Sequence, residues 1–213
     1  MSVIIAKNSS SAPGGSSTSP VLYNELPVSP SLPVAQGNNS IALGSGAVTN
    51  TTAPGSLAIG NQSLARIPGG NVQASGRFAS SGDAQAGRYL LRTVTVNGGW
   101  TQAFVDGTGG SNQLTLVDNS TWTFTATITG HRTDMDGHAG YKIEGVVYRG
   151  VGPGSVAFQG GITKTVIAES NPAWDVTALV DVSTGSLVIK VLGEVAPAII
   201  RWVCLIETTE VTS

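Results

Sequence analysis

The pentapeptide Ser40-Ile-Ala-Leu-Gly44 recurs as Ser56-Leu-Ala-Ile-Gly60, and this repeat decides the fold of the first third of the chain. Each copy alternates large aliphatic residues with alanine and ends in glycine, the pattern of a short strand followed by a turn. A unit this short cannot bury its own apolar face and needs stacked neighbours. Because only two copies are evident, we expect other copies of the chain to supply them, in a trimeric β-roll stalk over residues 39–70. Four aliphatic side chains are the predicted core of that stalk: Ile41, Leu43, Leu57 and Ile59.

Upstream of the repeat, residues 1–38 lack the composition of an independent core. The stretch from Asn8 to Pro20 contains only Asn, Ser, Thr, Ala, Gly and Pro, and such a segment cannot bury enough apolar surface to fold alone. Short apolar pieces are nevertheless spaced through this region. They favour an extended arm laid on another protein, with a disordered leader as the alternative. The residues predicted to anchor the arm are Val3, Ile4, Ile5, Val21, Leu22 and Tyr23.

Downstream of the repeat, residues 71–213 have the pattern of strands separated by turns. In the stretch 121–129, Trp, Phe, Ala and Ile alternate with five threonines, which indicates a strand with one buried and one exposed face. We interpret the threonine face as a subunit interface. The pattern predicts an antiparallel β-sandwich of jelly-roll type forming a C-terminal knob. Its predicted strands cover 88–96, 100–105, 121–129, 141–149, 163–169, 174–180, 186–191 and 199–207.

Charge is scarce and unevenly distributed. Only 24 of 213 residues are charged, the net charge is −2, and Lys7, Glu25 and Arg66 are the only charged residues among the first 75. A chain with no basic excess is a poor ligand for phosphate backbones or anionic membranes, so we expect neither nucleic acid nor membrane as a partner. The charge-poor N-terminal third is expected to be covered by other chains. No apolar run reaches the length of a signal peptide or a membrane span, so we expect synthesis in a cytoplasm.

One cluster of ligand-type side chains stands out, between His131 and His138. It combines two imidazoles with Asp134 and Asp136, residue types that bind divalent metals. The spacing lacks the third oxygen position and the distal Glu of a calcium loop, so the simpler interpretation is a polar turn between two strands. We therefore predict no metal site.

Other patterns that carry chemistry are missing from the sequence. The serines include no Gly-x-Ser-x-Gly motif, the glycines include no phosphate-binding loop, and Cys204 lies in an alternating strand pattern typical of a packed residue. A pair of carboxylates for glycoside cleavage stays open, because spacing alone does not select one among 13 acidic residues. We predict a non-enzymatic protein with no catalytic residues and no cofactor.

The four tryptophans, at positions 100, 122, 174 and 202, all lie in or beside predicted strands. A tryptophan in a strand more often belongs to a core, while an exposed one provides a flat platform on which a sugar ring stacks. Both interpretations stay open for these four residues.

Two resemblances accompany these patterns. The repeat resembles the YadA-like head repeat of trimeric autotransporter adhesins. The C-terminal region resembles a domain of tailed-bacteriophage virion proteins, namely head fibres, tail fibres and minor structural proteins. The second resemblance rests on segments 74–78, 82–85, 87–92, 174–176 and 200–203. Together they imply a homotrimer with the arm (1–38) on the particle, a stalk (39–70) and an outward knob (71–213), without catalytic residues.

Within that class we predict a homotrimeric capsid decoration or cement protein, a short head fibre whose arm binds the major capsid protein or another virion protein and stabilises the shell. Its location would be the capsid surface of the virion, after synthesis in the bacterial host cytoplasm. The alternative is a receptor-binding tail fibre whose knob recognises host surface glycans. That alternative predicts exposed aromatic and amide side chains on the knob, such as Trp100, Asn112 or the 131–138 turn.

Overall fold

Residues 34–75 wind into about three coils of a β-solenoid, and each coil contributes one strand to each of two parallel sheets. The computed structural model describes residues 31–134, 137–195 and 198–213. The first sheet contains β1 (Val34–Ala35), β3 (Val48–Thr49) and β5 (Leu64–Ala65). The second contains β2 (Ile41–Leu43), β4 (Leu57–Asn61) and β6 (Asn71–Ser75).

The pentapeptide repeat follows directly from this geometry. Ala42 lies beside Ala58 and Val72 in the parallel register, and these small residues point into the narrow interior of the solenoid. The larger residues of the repeat alternate with them and therefore point outward. Ser40 and Ser56 close the turn before each strand, because each hydroxyl donates to the carbonyl three residues earlier, at 2.6 and 2.7 Å.

The glycines that end the two repeats stack on one another along the solenoid. Gly44 and Gly60 have φ values of +116° and +94°, in the region that favours glycine. A Cβ at Gly44 would lie 2.2 Å from the carbonyl oxygen of Gly60, and a Cβ at Gly60 would lie 2.1 Å from that of Ala74. Glycine is therefore required both by the backbone conformation and by the closeness of the next coil.

The trimeric β-roll stalk predicted from the sequence is wrong. The stacked neighbours come from the same chain, because β6 supplies a third coil and then pairs in antiparallel fashion with β7 (Ala84–Thr95). The third coil carries Asn71 and Gln73 at the outward positions where the repeats carry aliphatic residues. The pentapeptide pattern is therefore lost from the sequence although the strand is present.

Among the described residues the remaining elements are strands, with a single 3₁₀ turn at Pro153–Ser155. In chain order they are β8 (Trp100–Ala103), β9 (Leu114–Thr115), β10 (Ser120–Arg132), β11 (His138–Arg149), β12 (Ala157–Phe158), β13 (Thr163–Glu169), β14 (Asp175–Asp181), β15 (Ser186–Leu192) and β16 (Ile200–Thr212). Each strand predicted from the sequence is present, with ends that differ by a few residues. The largest difference is β16, which extends to Thr212.

The jelly-roll knob is also wrong, because one sheet runs continuously from the solenoid through the C-terminal region. This large sheet has nine strands in the order β12-β11-β10-β16-β7-β6-β4-β2, with β13 also paired to β11. A smaller sheet, β14-β15-β8 with β9 paired to β15, packs against it. A jelly roll would instead divide its strands between two comparable sheets in a separate unit.

The turn Asn97-Gly98-Gly99 marks the point where the chain passes from the large sheet to the small one. The sequence pattern predicts a hairpin there, but β7 and β8 lie in different sheets, and Arg92 of β7 forms an isolated antiparallel bridge with Phe104, the residue after β8. The core lies between the two sheets. Its largest fully buried side chains include Phe124, Tyr141 and Trp202. Nowhere in the described ranges does a helix have the length and apolar character needed to cross a membrane.

Candidate functional site

An open groove of about 560 Å³ crosses the outer face of the small sheet. Alternation along β14 and β15 turns Asp175, Thr177 and Lys190 outward while Val176 and Val191 pack in the core. In the antiparallel register Lys190 lies opposite Thr177, and Leu192 lies between Asp175 and Trp100. The groove is lined by Trp100, Ile162, Lys164, Asp175, Val176, Thr177, Leu179 and Lys190.

Trp100 provides the aromatic surface of this groove. It is the first residue of β8, directly after the 97–99 turn, and 46% of its surface is exposed. The other three tryptophans are buried: Trp122 contacts the Tyr89 ring, and Trp174 and Trp202 pack edge to face. Trp122, Trp174 and Trp202 are thus core residues. Trp100 is exposed, as a platform for a sugar ring would be.

Charged side chains surround the aromatic surface. The Lys164 ammonium lies 2.6 Å from the Asp175 carboxylate, and this carboxylate also accepts the backbone N–H of Val176. Lys190 makes neither an ion pair nor a side-chain hydrogen bond within the described part of the chain. The groove therefore holds one neutralised lysine and one lysine whose ammonium is available to a ligand.

This combination suits a carbohydrate better than a purely apolar ligand. An indole face packs against the C–H face of a sugar ring, while a carboxylate, a hydroxyl and an ammonium provide directional partners for sugar hydroxyls or a sugar carboxylate. A few polar groups around an apolar surface are typical of ligand-binding clefts. Apart from Trp100, the sequence did not indicate these residues, because the polar side chains lie on the exposed faces of three strands that are separated along the chain, β13, β14 and β15.

The repeat residues predicted as a stalk core lie on the outside of the solenoid. Ile41 and Leu57 are cross-strand neighbours, as are Leu43 and Ile59. Ile41 is 52% exposed, and the other three are half-buried. We call these four residues the solenoid patch. The predicted arm anchors Val3, Ile4, Ile5, Val21, Leu22 and Tyr23 lie outside the described residues.

The other sequence candidates are placed as follows. His131 and His138 are not in a turn but lie opposite each other at the ends of β10 and β11. Asn112 lies in a loop organised by Asp106, whose carboxylate accepts the N–H groups of Ser111 and Asn112 at 3.1 Å. Desolvation of this carboxylate acts to raise its pKa, but the hydrogen bonds together outweigh it and lower the pKa of Asp106. Asn112 thus helps to hold this loop together and does not line the groove.

Cys204 is a core residue. It is fully buried on β16, and burial raises the pKa of its thiol to about 12. A thiol with so high a pKa is protonated at neutral pH and is a poor nucleophile. The sequence interpretation of Cys204 as a packed strand residue is confirmed.

Glu210 is the most deeply buried glutamate among the described residues, and it belongs to a hydrogen-bond network. Its carboxylate accepts the Tyr89 hydroxyl at 2.7 Å, the Thr208 hydroxyl at 2.6 Å and the Gln85 amide at 2.9 Å. Burial, together with the Glu210 charge, raises the pKa of Tyr89 well above its ordinary value. Gln85 also bonds both backbone groups of Leu64, so the network fastens the solenoid to β7 and β16.

The space beside Glu210 is too small for a substrate. The adjoining cavity measures about 10 Å³, near the minimum for a single water molecule. Within the described ranges, no group of three or more His, Cys, Asp and Glu side chains is arranged to hold a metal ion. The groove around Trp100 therefore remains the candidate site.

No protein-family model matches the chain, and no curated protein matches it. Solved structures that match include the tailspike protein of Acinetobacter baumannii phage AM24, at 15% sequence identity and a TM-score of 0.34. The matched region covers 60% of this chain and 27% of that tailspike. The match thus spans about a quarter of the length of that tailspike.

Proposed function

We propose that this protein is a receptor-binding component of a bacteriophage fibre and that the Trp100 groove binds a sugar unit of a host surface glycan. The observation that carries the proposal is the exposed indole of Trp100 in a groove with Lys164, Asp175 and Lys190. The resemblance of the C-terminal region to virion fibre proteins supplies the biological setting. Attachment to the particle is assigned to the N-terminal arm, which would contact another virion protein.

The groove residues have different parts in the proposed recognition of a sugar. Trp100 provides area and orientation for one ring face. The Lys164–Asp175 pair presents a fixed carboxylate edge to ring hydroxyls, and Thr177 lies beside it on β14. Because all of these side chains belong to paired strands or their ends, the site is formed before the ligand arrives.

A printed array of bacterial surface polysaccharides tests the proposed function. We expect the chain to bind at least one polysaccharide on the array, with soluble fragments of the same polysaccharide competing. A folded chain that binds none would contradict glycan recognition.

Lys190 is expected to select for acidic sugars. Its ammonium is unpaired in the described part of the chain, and hydrogen bonds to charged groups contribute about 1.5–3 kcal/mol, which corresponds to about a 10- to 150-fold change in affinity. We expect Lys190→Met to weaken binding of a uronic-acid polysaccharide at least tenfold in calorimetric titration. Lys142→Met, on the outer face of the large sheet, is the matched control. Equal effects of the two substitutions would exclude a role for Lys190 in recognition.

We also propose that copies of this chain associate as a homotrimer through the outside of the solenoid, at the solenoid patch. The patch is aliphatic and carries no charge, and its strands continue the large sheet. At the corresponding positions of the third coil, β6 carries Asn71 and Gln73, so the solenoid tolerates polar residues there. Folding alone therefore does not require the aliphatic residues.

The polar residues of β6 provide the substitutions that test this association. We expect the double variant Leu57→Asn with Ile59→Gln to stay folded and to sediment as a monomer at concentrations where the native chain is a trimer. Val166→Thr, at an exposed position of β13, should not change the sedimentation coefficient. A native chain that is monomeric, or a double variant that remains trimeric, would refute the proposed interface.

Attachment to the capsid and attachment to the tail predict different copy numbers. Decoration of the shell requires many copies over its surface and no glycan affinity, whereas a receptor-binding fibre requires few copies at the tail. Electron microscopy of antibody-labelled particles distinguishes the two, and labelling restricted to the shell would contradict our proposal.

A further inference from the structure

Two histidines face each other on the outer surface of the large sheet. Neither of them lines the Trp100 groove. His131 on β10 and His138 on β11 are direct cross-strand partners, and both are exposed. Their Nδ1 atoms are 3.2 Å apart while their ring centroids are 5.2 Å apart, with the ring planes within 13° of parallel. The two Nδ1 atoms are thus within hydrogen-bond distance of each other.

We propose that His131 and His138 form a two-histidine chelate for a borderline divalent transition metal such as Zn²⁺ or Cu²⁺. Imidazole nitrogen is a preferred ligand of these ions. A metal 2.0–2.1 Å from both Nδ1 atoms at their present separation would subtend an angle of about 99–106°, close to the tetrahedral value. Both rings are exposed, so rotating them until the lone pairs converge on one point disturbs no core packing. Water completes the coordination.

The backbone holds the two ligands in place from both sides. β10 is a central strand between β11 and β16. The backbone N–H of His138 donates to the Ser170 hydroxyl at 3.0 Å, and the Ser170 N–H donates to the His138 carbonyl at 2.9 Å. Ligands on paired strands are positioned more accurately than ligands on loops. The bound metal would link β10 and β11 at the end of their hairpin.

The charges nearby fit a soft or borderline metal and not a hard one. Asp134 is engaged by the Arg132 guanidinium at 2.7 Å, which lowers the pKa of Asp134 and keeps its carboxylate occupied. Arg201 lies beside His131 in the register with β16. Asp136, in the same turn, lies outside the described residues. Among the described residues of the turn the two imidazoles are therefore the available ligands, and imidazole nitrogen favours Zn²⁺ or Cu²⁺ over Mg²⁺ or Ca²⁺, which require oxygen ligands.

Calorimetric and thermal titration of the untagged chain with ZnCl₂, CuCl₂ and MgCl₂ tests the proposal. We expect one Zn²⁺ or Cu²⁺ per chain, a rise in melting temperature on binding, and no response to Mg²⁺. His131→Gln and His138→Gln should each weaken binding at least tenfold and abolish the rise, whereas Asp134→Asn should leave both unchanged. Absence of Zn²⁺ and Cu²⁺ binding, or undiminished binding in either single histidine variant, would overturn the two-histidine chelate.

Discussion

Replacement of Gly60 by alanine is expected to lower the free energy of unfolding by about 2–5 kcal/mol. The new Cβ would lie 2.1 Å from the Ala74 carbonyl oxygen, and relieving such a clash in a packed structure costs about 1–3 kcal/mol. The φ of +94° adds about 1–2 kcal/mol for a residue with a side chain. Because Gly60 contacts the third coil, we expect the loss of stability to appear as cooperative unfolding at a lower urea concentration than in the native chain.

Gly55→Ala separates the two causes. Gly55 also has a positive φ, +67°, but a Cβ there meets nothing within 4 Å. We therefore expect Gly55→Ala to show only the conformational penalty, about 1–2 kcal/mol, in the same denaturation experiment. If the two variants lose the same stability, the close stacking of the coils within one chain is not as described.

Trp100→Ala is expected to reduce glycan affinity at least 30-fold while leaving stability almost unchanged. Aromatic residues at the centre of a binding site often contribute about 2 kcal/mol or more, equivalent to about 30-fold. Trp100 is half exposed and belongs to no core cluster, so its removal opens no cavity. The affinity is measured by calorimetry with a polysaccharide that the array identifies.

Two companion substitutions make the Trp100 result specific. Trp100→Phe retains a flat ring and should recover part of the affinity. Val182→Ala removes another exposed apolar side chain from the loop after β14, outside the groove, and should have no effect on binding. Native affinity in Trp100→Ala would move the binding site away from this groove.

The strands were predictable because their alternation is regular. In β10, Trp122, Phe124 and Ile128 face the core between threonines, and a period of two with this contrast has one structural interpretation. Ser40, Ser56 and the terminal glycines likewise identify the repeating coil. These features depend on neighbouring residues, so they can be recognised in the sequence.

The assembly of strands into sheets was not predictable in the same way. Asn71 and Gln73 hide the third coil, because an outward position of a solenoid accepts polar or aliphatic residues equally. The pairing of β7 with β16 joins segments more than 100 residues apart, and no local pattern specifies such a contact. The same repeat pattern is compatible with coils stacked within one chain and with coils stacked between chains, so it does not distinguish the two.

The candidate groove was only partly predictable from the sequence, because its residues come together through the pairing of distant strands. Trp100 was distinguishable as an aromatic residue beside a turn, but Lys164, Asp175 and Lys190 become partners only through the pairing of β8, β14 and β15 and the placement of β13. The histidine pair shows the reverse case. The sequence brought His131 and His138 together as a turn, and the structure places them as cross-strand partners.

The most direct test of glycan recognition in the Trp100 groove uses the four indole N–H resonances of the ¹⁵N-tryptophan-labelled chain. The chain is titrated with oligosaccharides cut from the polysaccharide that the array identifies. We predict that the Trp100 resonance, assigned by its loss in Trp100→Phe, shifts in a saturable way, while those of the buried Trp122, Trp174 and Trp202 move little. Saturable binding that leaves the Trp100 resonance unshifted would contradict the assignment of this groove as the glycan site.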